Sequence, residues 1–170
     1  CVVTHPALAQ DRTAEMCCPR GQATHEGYHN QYAHFMALAS RAAGEQRDPD
    51  GRPVLLTRSA CAGTQRYTAV WTGDNASNWD HLRMALPCSL NLSLSGIAFN
   101  GPDVGGFMDD TNTELLVRWH PACCLFPFFR NHSSRGFPLQ EPWPIRPSTL
   151  AALWGAIRLR YRLLPYLYPS

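Results

Sequence analysis

From His25 to Ala43 the apolar positions Tyr28, Tyr32, Phe35 and Ala39 recur at steps of four, three and four, which puts them on one face of a helix. Gly44 is the expected stop, and EQRDPDGRP beyond it, with D-P-D-G inside, reads as a polar turn. VLLTRS (54–59) and YTAVWTGD (67–74) are short apolar runs of the kind that form buried strands. Residues 75–80 read as a loop opening a helix, with Ser77 as its cap. In WDHLRMALPCSLNLSL that helix sets Leu82, Leu86 and Leu90 on one face, and Pro87 is expected to kink or split it. GIAFNGPDVGGF (96–107) reads as a strand and then a glycine-rich turn. Thr111 with Glu114 three residues on marks a further helix start. FPFFRNH (126–132) is strand-like, and a last helix carries Leu150, Leu153, Ile157, Tyr161 and Leu164 until Pro165 interrupts it. Residues 1–24 show no period and read as an irregular loop; 25–170 read as one unit.

Strand, loop and helix thus alternate about four times, and strands alternating with helices predict right-handed crossovers and a parallel sheet. Each strand has the same sequel. Arg58 follows VLLT, Asp74 follows AVWTG, Asp103 follows IAFNGP, and Arg130, Asn131 and His132 follow FPFF. In a parallel α/β barrel the C-terminal strand ends share one rim, and the active site lies there. Asp74 therefore stands where a strand opens onto a shared pocket.

Composition narrows the chemistry. All 15 basic residues are Arg, so there is no lysine for a Schiff base, a pyridoxal-phosphate anchor or a P-loop. A net charge of +2 is too small to argue for nucleic acid or an anionic membrane as partner. No apolar run approaches the ~18 residues of a membrane span. Seven cysteines, two pairs of them adjacent and none in C-x-x-C spacing, form neither a disulfide framework nor a standard zinc pattern. They read as reduced, mostly buried thiols. Together with a start that lacks a basic-then-apolar leader, they favour a cytoplasmic setting. The chain opens without Met and reads as an excerpt.

The motifs LLTRSACAGTQRYTAVWTGDNASNWDHL, GIAFNGPDVGGF, FPFFRNHS and QEPW, in that order, resemble glycoside hydrolase family 31, whose members are mostly retaining α-glucosidases on a (β/α)8 barrel. The resemblance implies an α/β fold: a partial TIM barrel of about strands five to eight with their helices. It also implies roles. Asp74, in W-x-G-D-N, would be the general acid/base. Arg58 of T-R-S would contact the bound sugar, and His132 of R-N-H would hydrogen-bond its hydroxyls. Phe107 would line the pocket, Asp103 would support it, and Trp71 would help wall it. No cofactor and no metal are implied, and the expected ligand is an α-linked oligosaccharide or glycoside.

The family's nucleophile is the Asp of a W-x-D-M-N-E motif, which these 170 residues do not contain. Retaining hydrolysis needs two carboxylates about 5–5.5 Å apart, one to attack the anomeric carbon and one to protonate the leaving oxygen. The donor wants a raised pKa, from partial burial or a neighbouring negative charge. The expectation is therefore a chain that carries the acid/base, lacks the nucleophile, needs the missing N-terminal half of the barrel, and is inactive alone.

Two other readings compete. Aromatics and Arg at a rim can hold a sugar without chemistry, as a carbohydrate-binding remnant. HEGYH (25–29) fits H-E-x-x-H, in which His25 and His29 would bind zinc with Glu26 as base. Gly27 weakens that helix, and Tyr32 and Phe35 stand where the extended motif needs Gly and His. Trp119, Trp143 and Trp154 read as packing residues, and Arg158, Arg160 and Arg162 as a solvated face.

Overall fold

Parallel pairing in chain order organises the molecule. The computed structural model describes residues 15–18, 21–143 and 147–168. Strands β3 (Leu56–Thr57), β4 (Ala69–Trp71) and β5 (Asn100–Gly101) form one parallel ladder. β6 (Asp103–Val104) and β7 (Arg130–Asn131) form a second. β5 and β6 are one extended segment divided by the buried Pro102, which has no N–H to give a ladder. The segment therefore offers β5 to β4 on one side and β6 to β7 on the other, and Phe128 N–H closes onto Asn100 O at 3.0 Å. The result is an arc of four parallel staves in sequence order.

The staves are shorter than the apolar runs that announce them. Val54 in VLLTRS is 89% exposed, and only Leu56 and Thr57 join the ladder. The crossovers also differ from expectation. Between β3 and β4 lie only residues 58–68, with a single 3-10 turn, Thr64–Arg66, and no α-helix. Eleven residues are too few for a helix that must return the full length of a strand.

Helix α1 (His25–Arg47) runs past Gly44. Gly44 marks close approach: a Cβ there would stand 2.7 Å from Pro53 Cβ. Helix α2 (Trp79–Leu94) starts at the cap Asn78, whose side chain accepts from His81 N–H, in place of the expected Ser77. Pro87 lies inside α2 without ending it; a missing N–H removes one rung and the neighbouring turns carry across. Its buried positions are Ala85 and Ser89, while Leu86 and Leu90 are exposed. The small polar face exists to hold Asn100. Ser89 Oγ donates to Asn100 Oδ1 at 2.5 Å, and Asn100 Nδ2 donates to Ile97 O and Ser93 Oγ. A fully buried amide costs little only when its bonds are made.

Helix α3 (Thr113–Cys123) is capped by Asn112, which accepts from Leu115 N–H at 2.9 Å, one residue after the predicted Thr111. Asn is the stronger cap of the two. Helix α4 (Pro147–Leu167) continues through Pro165, burying Leu153 and Ala156 and leaving Tyr161 and Leu164 exposed. The core joins Ala85, Val104, Leu115, Trp119, Cys123 and Phe126.

Three further expectations change. Residues 15–18 and 21–24 are not irregular: β1 (Glu15–Cys18) and β2 (Gly21–Thr24) pair antiparallel, held by backbone bonds that no side-chain period announces. The remainder of 1–24, residues 1–14 and 19–20, lies outside the described residues. Of the tryptophans assigned to packing, Trp119 is buried, whereas Trp143 and Trp154 are exposed. Arg160 is not on a solvated face. It donates to the carbonyls of Cys124, Phe126 and Pro127, tying α4 to the end of α3. Cys124 is the C-cap of α3, and Phe126 and Pro127 lie in the turn that follows it.

Candidate active site

The C-terminal tips of the staves carry the polar groups. Arg58 follows β3, and its Nη1 donates to Asp74 Oδ2 at 3.1 Å. Asp74 follows β4 by way of Gly73, whose φ of +89° is a conformation that glycine adopts at no steric cost. The turn delivers the carboxylate onto the neighbouring stave's guanidinium. Both side chains keep solvent contact, at 57% and 34% exposure, so the pair orients more than it stabilises.

Asp103, on β6, has no exposed surface, and Arg130 on β7 donates to its Oδ1. Burial pushes the Asp103 carboxyl above its ordinary range; the Arg130 ion pair and the His132 charge pull it back, and Asp74 adds to the rise. Arg130 lies with Cζ 5.7 Å from the Trp71 ring centroid and 5.3 Å from that of Phe128. Phe107 and His132 stack at 5.3 Å between centroids. The six residues singled out from the sequence therefore fall into three pairs. Arg58 holds Asp74, Arg130 joins Trp71 with Asp103, and Phe107 stacks on His132.

Several residues that hold the rim together had no role in the sequence reading. Asn75 Nδ2 donates to Asp103 O at 2.9 Å, and Asn75 O accepts from Phe107 N–H at 2.8 Å and Met108 N–H at 3.0 Å. Gln140, from QEPW, donates to Gly106 O, and Asn131 donates to Gln140 O, each at 2.8 Å. Ser134 N–H reaches Phe107 O at 2.8 Å. The adjacency of Asn75 to Asp74 and the clustering of R-N-H were the only available signals for these ties.

The profile of the Glycosyl hydrolases family 31 TIM-barrel domain matches residues 3–170. The chain belongs to glycosyl hydrolase family 31. Its arc of parallel staves is a fragment of that family's TIM barrel. This family 31 chain is 50% identical over 145 residues to Alpha-glucosidase 2 of Bacillus thermoamyloliquefaciens, covering 85% of this chain and 18% of that protein. Among solved structures it resembles the glucosidase II alpha subunit in a DNJ-bound form, with TM-score 0.80 and 37% identity over 84% of this chain and 16% of that one. It also resembles a family 31 alpha-glucosidase from Bacteroides thetaiotaomicron, with TM-score 0.80 and 40% identity over 93% of this chain and 27% of that one. The chain thus spans less than a fifth of the curated relative.

HEGYH occupies the first turn of α1, with Glu26 and His29 exposed; the side chain of His25 lies outside the described residues. Among the described residues no group of three or more His, Cys, Asp or Glu is placed to hold a metal ion, and no helix is long and apolar enough to cross a membrane. Cys61, Cys88, Cys123 and Cys124 are free thiols. Cys123 and Cys124 are buried, Cys61 is half-buried and Cys88 is exposed, and burial pushes the Cys123 thiol up to about 12.

Proposed function

We propose that these residues form the proton-donor half of a retaining α-glucosidase site, on staves five to eight of the (β/α)8 barrel, with 25–170 as the catalytic-domain portion. Asp74 protonates the glycosidic oxygen as the bond to the anomeric carbon breaks, then takes a proton from the water that releases the sugar. Arg58 holds the carboxylate in register and binds the sugar. His132, backed by Phe107, hydrogen-bonds its hydroxyls, Trp71 walls the ring, and Asp103 supports the floor. The nucleophile is a carboxylate supplied from outside these 170 residues. Without it no glycosyl-enzyme forms, and the chain alone does not hydrolyse glycosides. Its partner is the complementary half of the barrel and its substrate an α-linked glucoside, the substrate class named for its relatives.

The observation that carries this reading is the place of Asp74, directly after β4 at the strand-end rim it shares with Arg58 of the neighbouring parallel strand, with its carboxylate 34% exposed to that rim. The test is hydrolysis of an aryl α-glucoside by a polypeptide joining these residues to a half-barrel that carries W-x-D-M-N-E. The chain alone should be inactive and the joined protein active. Asp74→Asn should lower its kcat/KM by about 10²–10⁴-fold, the usual worth of a general acid. Undiminished hydrolysis in Asp74→Asn would remove Asp74 from the role, and sugar binding with no hydrolysis in the joined protein would make this a binding module.

A further inference from the structure

Arg130 sits where three staves meet. From β7 its Nη2 reaches Asp103 on β6, while its Cζ lies over Trp71 of β4 and over Phe128 of its own stave. Neutralising Asp103 takes one donor. The guanidinium does this from one nitrogen, and both ring centroids lie within the ~6 Å at which a cation is attracted to an aromatic face. A planar cation can hold a carboxylate with its edge and still lie over a ring, which the compact ammonium of lysine cannot do equally well. Arg130 is also 31% exposed at its side chain whereas Asp103 is wholly buried.

We infer that Arg130 is a positioning residue of the sugar pocket, fixing the Trp71 indole as the pocket wall while it ties Asp103 to β7. This rests on the sugar-site reading above, in which Trp71 faces the ligand. Arg130 itself acts through Trp71 and Asp103.

The experiment uses the full 170-residue chain and reads the tryptophan indole N–H resonances by NMR. The Trp71 signal is identified by its loss in Trp71→Phe, and the core residue Trp119 reports on the fold. The double variant Asp103→Asn with Arg130→Gln removes both charges, so no buried charge is orphaned. Its Trp71 signal should shift while that of Trp119 stays. Titration of the joined protein of the preceding section with 1-deoxynojirimycin, a glucose-shaped imino sugar, should show binding weakened about three- to tenfold by the double substitution, the range of one cation–π contact. Arg130→Lys should fall between it and the unsubstituted joined protein. A Trp71 signal that does not move in the double variant overturns the inference. So does a joint shift of Trp71 and Trp119, which would make Arg130 a general structural charge. Failure of the unsubstituted joined protein to bind the imino sugar would instead sink the sugar-site reading, because the Trp71 shift is read without ligand.

Discussion

Gly73 and Arg58 are fitted to each other: a Cβ built on Gly73 would stand 3.1 Å from Arg58 Nε and 3.2 Å from its Nη2. The residue that turns the chain toward Asp74 therefore also makes room for the guanidinium that receives Asp74. Gly73→Ala is expected to cost about 1–2 kcal/mol for its left-handed backbone alone and to push Arg58 off the carboxylate. Urea unfolding of the chain measures the first effect. A drop in aryl α-glucoside hydrolysis by the joined protein measures the second, and a variant that is neutral in both would contradict the fit.

Arg160 should matter far more than its neighbours. Arg160→Met leaves the carbonyls of Cys124, Phe126 and Pro127 without their donor, an expected loss of about 2–3 kcal/mol, since hydrogen bonds to charged groups contribute ~1.5–3. Arg158→Gln and Arg162→Gln, both at exposed positions, should change stability by less than about 0.5 kcal/mol. Denaturation midpoints of the three variants decide it; equal effects would return Arg160 to a solvated face.

Gly101 permits the closest backbone approach between staves. A Cβ there would run into the Phe128 carbonyl, and a peptide group next to a strand cannot swing aside as a side-chain tip can. Gly101→Ala is expected to destabilise the chain by about 3 kcal/mol, the upper part of the usual overpacking range. It should also expose the Val70 and Thr72 amides to faster hydrogen exchange. Unchanged exchange there would show that the staves have slack.

His120 predicts a pH dependence. Burial holds its pKa below the ordinary 6.5, against the opposing effect of its bond to Leu116 O. Between the two values the unfolded chain binds a proton that the folded chain refuses, so stability rises with pH. The contribution is fully present above 6.5 and is lost as pH falls from 6.5 toward the folded value. His120→Gln should flatten that segment of a midpoint-against-pH curve, and a variant with the native slope would show that His120 is not its source.

The rim was legible because its chemistry sits at strand ends, where polar residues interrupt apolar runs. Arg58, Asp74, Asp103 and His132 all announced themselves in that way. What stayed hidden were roles that depend on partners distant in sequence. Arg130 and Arg160 look alike as isolated letters, yet one grips a buried carboxylate 27 residues away and the other caps carbonyls 33 to 36 residues away. Leu86 and Leu90 misled because large apolar residues were assumed to face the sheet, whereas the sheet presents Asn100 and calls for Ser89 and Ala85. The helix caps were misplaced by one residue because Ser77 and Thr111 each precede an asparagine that makes the bond. The glycines were misjudged where they serve contact: Gly44 makes room for Pro53 instead of ending α1.

Because each stave pairs with the next one along the chain, the rim can assemble in the order of synthesis. Asp74 needs a partner made 16 residues earlier, and Asp103 waits only 27 residues for Arg130. At ~5–20 residues per second on the ribosome, each of these gaps lasts a few seconds, far longer than the time needed to close a loop of that size. Among these rim contacts the earliest to become available during translation is thus the one around Asp74, the guanidinium beneath Trp71 follows, and the last to be secured is the tie from Gln140 to Gly106.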